Sequence, residues 1–331
     1  MSPVPSTKLN SGYNIPLIGY GTFGGRDAPS KVYTAAKQAL EYGYRSFDTA
    51  SLCKYYYVFL YFRKQNKTEQ KNRTEEALGK AIAESTVSRQ DLFITTKLWN
   101  NFHEAKYVRP AFNDSLRALQ LDYIDLFLMH WHLSFEYKGD GVLTDDENMK
   151  PTGVPITETW HAMEQLVKDG VARSIGVSNF TIPMLQEILD HCEIPPAANQ
   201  IEIHPNLDQQ EMVDFCASNG ITLIAYSPLG NPGFRQQLKI KIIDEPVVHE
   251  IATKYSKTPV QVLLNWGVNR GYAVIPKSVT PSRIKDNLVY FKMDQKDVDA
   301  ITEVGEKFQM RTCSPLGFWG EFCDVFGEKK S

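Results

Sequence analysis

Ile124-Asp-Leu-Phe-Leu-Met-His-Trp131 is an apolar, strand-like run that arrives at a histidine, His130. Three other short apolar runs arrive at polar residues in the same way: Tyr44-Arg-Ser-Phe47 leads to Asp48, Leu92-Phe-Ile-Thr-Thr96 to Lys97, and Ser174-Ile-Gly-Val177 to the pair Ser178-Asn179. A closed parallel α/β barrel gathers its strand ends at one mouth, where residues remote in sequence can act on one small molecule. An acid, a lysine, a histidine and an amide at successive strand ends therefore read as an active site.

Working outward, the same alternation runs along most of the chain. Strands are expected at Ile15–Gly21, Tyr44–Thr49, Leu92–Leu98, Ile124–Trp131, Ser174–Ser178, Asn199–His204, Thr222–Ser227 and Tyr272–Pro276. These are short β-branched and aromatic runs, and segments of helical period separate them. Ser30–Glu41, Thr74–Glu84, Arg109–Leu119, Thr157–Asp169, Pro183–His191 and Gln209–Asn219 are expected helices, with Gly43, Gly170 and Gly220 placed as C-caps. Eight strand–helix units predict an α/β fold, a (β/α)8 TIM barrel whose strands, buried on both faces, read as nearly continuous apolar runs. An open doubly wound sheet is the structural alternative. The even composition points to a single domain over residues 1–331.

Segments that break the alternation fall where such a barrel carries its function. Leu133–Thr152 and Gly230–Glu245 are long enough to be loops at the C-terminal mouth, and Glu306–Ser331 is an aromatic-bearing tail. Residues 54–73 differ in kind: the apolar Lys54-Tyr-Tyr-Tyr-Val-Phe-Leu-Tyr-Phe62 is followed by the polar Arg63-Lys-Gln-Asn-Lys-Thr-Glu-Gln-Lys-Asn-Arg73. Neither half has a place in a barrel.

Bulk properties narrow the partners. A formal net charge of −3 gives no electrostatic case for nucleic acid or an anionic membrane. No apolar run approaches the ~18 residues that span a bilayer, and Met1-Ser-Pro-Val-Pro5 lacks the signature of a signal peptide. Cys53, Cys192, Cys216, Cys313 and Cys323 are odd in number and scattered, as reduced thiols of a cytoplasmic chain would be. A small-molecule partner is expected, with the chain a monomer or weak dimer.

Gly19-Tyr-Gly-Thr-Phe-Gly24 matches G-x-G-x-x-G after a strand. In a dinucleotide-binding unit those glycines open the helix directly, so that its N-terminus meets the pyrophosphate. Here Gly25-Arg-Asp-Ala-Pro29 intervenes. A tight loop beneath a pocket, with Phe23 as a wall, accounts for the motif better.

Seven segments in order resemble the aldo-keto reductases: Gly43-Tyr-Arg-Ser-Phe-Asp-Thr-Ala50, Ile94-Thr-Thr-Lys-Leu-Trp99, Leu121-Asp-Tyr-Ile-Asp-Leu-Phe-Leu-Met-His-Trp131, Gly176-Val-Ser-Asn-Phe180, Asn199-Gln-Ile-Glu-Ile-His-Pro205, Ala225-Tyr-Ser-Pro-Leu229 and Ile275-Pro-Lys-Ser-Val-Thr-Pro-Ser-Arg283. The resemblance implies an NADPH-dependent reductase of aldehydes or ketones, with Asp48, Lys97 and His130 at three of four catalytic positions. It implies that Lys97, anchored by Asp48, lowers the pKa of a proton-donating tyrosine and that His130 orients the carbonyl oxygen. Ser178, Asn179 and Gln200 match the residues that hold the nicotinamide carboxamide, and Tyr226 the ring that stacks on it, with Ser227 and Leu229 following in the same cofactor segment. Lys277, Ser278 and Arg283 match the cluster for the adenosine 2′-phosphate, and Asn287 the adenine-side amide; Asp286 stands where many members have glutamate. By themselves these basic residues would also suit a solvated helix start. Phe23 and Trp131 are expected to wall the substrate, with Phe318 and Trp319 completing the pocket. His132 stands where the family often has proline, and no carboxylate or thiolate is placed to make a metal site of it with His204.

The fourth catalytic position departs from the pattern. The family's tyrosine comes five residues after the aspartate, where this chain has Cys53, and Thr74-Glu-Glu-Ala-Leu-Gly-Lys-Ala-Ile82 resumes the pattern only beyond residue 73. A thiol titrates near ~8.5 against ~10 for a phenol, so cysteine does not simply replace it. Three accounts are compatible with residues 54–73. Tyr55, or its neighbours Tyr56 and Tyr57, substitutes as donor; the insertion abolishes activity and leaves an NADPH-binding scaffold; or the segment is translated intron, as its bias to Lys, Asn, Tyr and Phe suggests.

Overall fold

The computed structural model describes residues 3–23, 29–51, 74–139, 150–230, 241–314 and 326. The expected insertion at 54–73, with Cys53 and Tyr55, lies outside the described residues, as do Phe318 and Trp319. An antiparallel hairpin, β1 (Ser6–Lys8) with β2 (Asn14–Pro16), precedes the barrel. The barrel strands are β3 (Tyr20–Gly21), β4 (Ser46–Asp48), β5 (Phe93–Leu98), β6 (Leu126–Met129), β7 (Ile175–Ser178), β8 (Ala198–Glu202), β9 (Thr222–Tyr226) and β10 (Ala273–Val274), paired in that order and all in parallel. Successive strands are crossed by α1 (Pro29–Tyr42), α2 (Thr74–Ala83), α3 (Ala105–Leu119), α4 (Ile156–Lys168), α5 (Ile182–His191) and α6 (Gln210–Ser218). The crossing from β9 to β10 carries α7 (Pro246–Tyr255) and α8 (Pro259–Asn269), while α9 (Pro281–Asn287) and α10 (Gln295–Glu306) follow β10.

Closure excludes the open-sheet alternative. Ile18 bridges Val274 in parallel, Gly19 N–H donates to Val274 O at 2.9 Å, Gly21 N–H to Pro276 O at 3.1 Å, and Val274 N–H to Leu17 O at 2.9 Å. These bonds explain the glycines of the G-x-G run. A β-carbon on Gly19 would meet Ser46 Oγ at 3.0 Å, and one on Gly21 would meet Ile275 O at 2.9 Å. The glycines let the first and last strands approach, which is a different task from cradling a pyrophosphate.

The expected single strand Ile15–Gly21 is two pieces. Ile15 pairs with Thr7 in the hairpin, whereas residues 17–21 join the barrel. The hairpin covers the N-terminal end: Ser11 Oγ lies 2.7 Å from Ser174 Oγ just before β7, and Asn10 Nδ2 donates to Pro196 O, just before β8, at 2.8 Å. Close by, buried Asp125 accepts from Arg89 (2.6 Å), Arg173 (2.9 Å) and Ile94 N–H (2.9 Å), while both guanidinium carbons lie 3.9 Å from the Tyr123 ring centre. This end is a stability face, opposite the strand ends that carry the expected site.

Local sequence sets the helix limits. Gly43, Gly170 and Gly220 adopt left-handed φ of +100°, +73° and +65° directly after or near helix ends, as the C-cap reading requires. Thr258 and Gln261 form a reciprocal capping box at the start of α8, with bonds of 3.2 and 3.0 Å. Helix α3 begins at Ala105, four residues before the expected Arg109, and carries Pro110 inside it. Phe112, Val108 and Leu119 on its buried face hold that helix through the missing N–H.

Gly79 reports how closely the helical layer is packed, since a β-carbon there would fall 2.5 Å from Leu119 O at the end of α3. Helix propensity alone favours alanine over glycine by about 1 kcal/mol. Gly79→Ala is nevertheless expected to destabilise the chain by about 1–3 kcal/mol, because the obstruction is backbone. Urea unfolding of both proteins gives the sign; a stabilised variant would refute the close packing.

Candidate active site

Strand ends β4, β5, β7, β8 and β9 deliver a continuous polar network into an otherwise apolar core. Lys97, 4% exposed in β5, donates to Asp48 Oδ1 at 2.7 Å and to Thr49 O at 2.8 Å. The other carboxylate oxygen of Asp48, Oδ2, accepts from Gln200 Nε2 at 2.6 Å. Two buried opposite charges attract strongly only if their remaining donors and acceptors are met, and here the Gln200 amide and a backbone carbonyl meet them. Asp48 and Lys97 thus fix each other at the end of β4 and β5.

Gln200 also joins this pair to a second cluster. Its backbone carbonyl accepts from Ser178 Oγ at 2.8 Å and from Asn179 N–H at 3.0 Å. Asn179 Nδ2 donates to His130 O at 3.0 Å and to Ser178 Oγ at 3.1 Å, and its Oδ1 accepts from the Tyr226 hydroxyl at 2.7 Å. Asn179 and Ser227, at the ends of β7 and β9, have left-handed φ of +63° and +49°. Asparagine visits that region readily and serine seldom, so the Ser227 turn stores some strain, of the kind found at functional sites.

His130 stands beside this network with its ring 5.1 Å from that of Trp99, edge to face. Its Nδ1 is buried with no hydrogen-bond partner among the described residues. Burial, and then the positive charge of Lys97, hold the imidazole well below its usual pKa, so it is neutral in the working range. Burial likewise pushes the Tyr226 hydroxyl well above the usual phenol range, with Cys313 and Glu202 adding to the effect. Tyr226 therefore remains a neutral donor to Asn179.

Other expected residues lie around this centre. Trp131 is buried beside His130 in sequence, while Phe23 stands 50% exposed two residues past β3. Leu229 is half-buried after β9. Lys277 and Ser278 follow β10, where Ser278 O accepts from Tyr20 in β3 at 2.7 Å, so closure positions this segment too. Arg283 is exposed on α9 and Asn287 is buried at its end. His204, weighed with His132 for a metal, bonds to Glu202 Oε1 at 3.0 Å. Glu202, Thr312 and Cys313 form a cluster that sequence reasoning missed. Its one visible signal is an acid within the apolar run Ile201-Glu-Ile203.

A model of the Aldo/keto reductase family matches residues 17–306. The chain belongs to the aldo/keto reductase family. It is 39% identical to the NADP+ glycerol 2-dehydrogenase of Hypocrea jecorina over 303 residues, which cover 90% of this chain and 91% of that one. It is 37% identical to the NAD(P)H-dependent D-xylose reductase of Candida tropicalis, over 92% and 94% of the two chains. Among solved aldo/keto reductase structures, the aldose reductase of Schistosoma japonicum superposes with a TM-score of 0.82 at 36% identity, covering 98% of this chain and all of that one. An aldo-keto reductase of Bombyx mori in complex with NADP gives 0.83 at 33% identity, over 98% and 99% of the chains.

Three histidines in the strand-end segments of this aldo/keto reductase are held neutral by burial. His103, 1% exposed, is pushed down to about 3 by burial and then by His132, and burial pushes His132 down to about 4. In the unfolded chain each imidazole binds a proton near ~6.5. The unfolded state therefore takes up more protons as pH falls below that value, and stability falls with it, by up to about 1.4 kcal/mol per unit for each histidine. The loss is expected to begin near pH 6.5 and to continue toward pH 4. Urea unfolding midpoints at pH 7.5 and 5.5 measure it, and His103→Asn should reduce the slope by roughly a third; an unchanged slope would count against the buried neutral state.

Proposed function

We propose that this chain is an NADPH-dependent reductase that converts the aldehyde or ketone group of a small molecule, sugar-derived carbonyls among them, to an alcohol. The observation that carries this reading is the buried Lys97–Asp48 pair, at 2.7 Å, tied by Gln200 to the Ser178–Asn179–Tyr226 cluster. The relatives reported above are named as enzymes, which supports catalysis over a cofactor-binding scaffold. All of these groups come from one chain, in keeping with one barrel domain interrupted near residues 54–73 and acting as a monomer or weak dimer. No helix among the described residues is long and apolar enough to cross a membrane. We assign the enzyme to the cytoplasm on its five scattered cysteines, which read as reduced thiols.

The residues present fit the cofactor. Asn179 and Gln200 bring two side-chain amides, with the Ser178 hydroxyl, to adjoining strand ends, suited to a nicotinamide carboxamide. Tyr226, bonded to Asn179, is the ring for stacking, and Ser227 and Leu229 continue that wall. Lys277, Ser278 and Arg283 supply an ammonium, a hydroxyl and a guanidinium suited to a 2′-phosphate, with Asn287 toward the adenine. When bound, NADPH supplies the hydride that adds to the carbonyl carbon.

The chain's own groups then manage the oxygen. Neutral His130 donates an N–H to the carbonyl oxygen and orients it, between walls contributed by Phe23 and Trp131. A phenol beside Lys97 gives that oxygen its proton, and the fixed Lys97 cation stabilises the phenolate left behind. Tyr55 is the phenol that the sequence offers if the insertion is part of the working enzyme. The alternative favoured by the composition of residues 54–73 is a shorter chain with tyrosine at position 53.

Two experiments test the reading. In fluorescence titrations, NADPH is expected to bind at least tenfold more tightly than NADH, since charge-assisted bonds to the 2′-phosphate contribute about 1.5–3 kcal/mol each. Lys277→Ala with Arg283→Ala should abolish the preference, and equal affinities in the parent chain would reject the cofactor assignment. Removing Lys54–Arg73 and placing tyrosine at 53 is expected to give carbonyl-dependent NADPH oxidation, where removal alone does not. In that background Lys97→Met should lower kcat by about 100-fold or more with NADPH affinity little changed, because the lysine acts on the proton donor. Turnover that survives Lys97→Met within a factor of a few would exclude Lys97 from the chemistry.

A further inference from the structure

The Glu202 carboxylate, wholly buried at the end of β8, takes no part in the Lys97–Asp48 network, yet it is crowded with donors. Thr312 N–H lies 2.9 Å from Oε1 and 3.0 Å from Oε2, Cys313 N–H lies 2.8 Å from Oε2, and the Thr312 hydroxyl bonds to Oε1 as well. His204 Nε2 completes the set at 3.0 Å from Oε1. Burial pushes the carboxyl up, but His204, Thr312 and Cys313 overcome this and hold it below the usual carboxylate range. Three of these donors belong to the tail that follows α10.

The same stretch of chain after β8 holds the tail at one further point and the end of α10 at another. Met310 N–H donates to Asn206 O at 2.8 Å, and Asn206 Nδ2 to Gly305 O at 3.2 Å. A β-carbon on Gly305 would fall 2.0 Å from Pro205 O, so α10 ends in close contact with this segment. Glu202 pairs directly with Tyr226 across β8 and β9, so the residues strapped to its carboxylate lie at that strand end, where the Tyr226 hydroxyl feels both Cys313 and Glu202. An acid buried in a strand only to support the barrel would need no backbone amides from a segment 110 residues away.

We propose that Glu202 is a positioning residue: its carboxylate latches tail residues 311–313 against the barrel mouth beside Tyr226 and so fixes one wall of the carbonyl-substrate site. This rests on the reductase reading above for the identity of the substrate, but the latch itself does not. Glu202→Gln keeps the shape and removes the charge. Its NH2 group would also face an N–H where the carboxylate now accepts, so the tail should come free. Thr312→Val removes one donor outside the barrel core and should act in the same direction, more weakly.

The test uses the full chain and both variants. Trypsin cuts after Arg311, and the rate at which the fragment ending there forms, followed by mass spectrometry, reads the latch directly. It is expected to rise at least tenfold in Glu202→Gln and about threefold in Thr312→Val. With DL-glyceraldehyde as substrate, and in the form lacking Lys54–Arg73 with tyrosine at 53 where the full chain is inactive, KM should rise tenfold or more in Glu202→Gln while kcat and the Kd for NADPH stay within threefold. Unchanged cleavage in both variants overturns the latch. Faster cleavage with unchanged KM overturns the substrate wall. If neither the full chain nor the form lacking Lys54–Arg73 with tyrosine at 53 reduces a carbonyl, the reductase reading fails instead, and the Arg311 cleavage rates alone decide for or against the latch.

Discussion

Gly21 lies so near the carbonyl of Ile275 that a β-carbon would come within 2.9 Å of it, and this contact closes the barrel. Hydrogen bonds from residues 17–21 to residues 274–276 join the first barrel strand to the last, so the eight-stranded sheet has no free edge among the described residues. Everything at the mouth depends on that ring. Closure sets Ser278 against Tyr20, and it turns the ends of β4, β5, β7, β8 and β9 toward one another, so that residues 152 apart in sequence, Asp48 and Gln200, come within 2.6 Å. In an open sheet those ends would lie along an edge.

Inside the ring, charge is admitted only where it is fully engaged. Asp48 is met by Lys97 and Gln200, and Asp125 at the opposite end by two arginines and a backbone amide. Glu202 is met by His204 and by the tail. Such groups gain little net stability over apolar packing, since desolvation offsets attraction, but breaking one leaves an uncompensated buried charge. The three carboxylates divide the molecule by role. Asp125 braces the N-terminal end, Asp48 fixes the lysine, and Glu202 accepts from the tail at Thr312 and Cys313.

Much of the fold was legible because its signals are local. Apolar runs that stop on Asp48, Lys97, His130 and Ser178-Asn179 marked the strand ends, and glycines 43, 170 and 220 marked the helix ends. The divided run Ile15–Gly21 was not legible as two pieces. Its apolar residues bury equally well under the barrel or in it, and only pairing with Thr7 or with Val274 separates those fates. The start of α3 was not legible either: it lies at Ala105, before the expected Arg109, and the packing of Val108 and Phe112 carries the helix through Pro110.

The sequence by itself determined the strand–helix order, the residues at the strand ends and the family they resemble, since each is written in neighbouring residues. Tertiary structure alone decided that Gln200 bonds Asp48 and that His130 is held neutral by its surroundings. It also decided that Glu202 accepts from Thr312 and Cys313 of the tail. Hydrogen-bond partners and desolvation are properties of the closed barrel, set by which distant groups its curvature brings within about 3 Å.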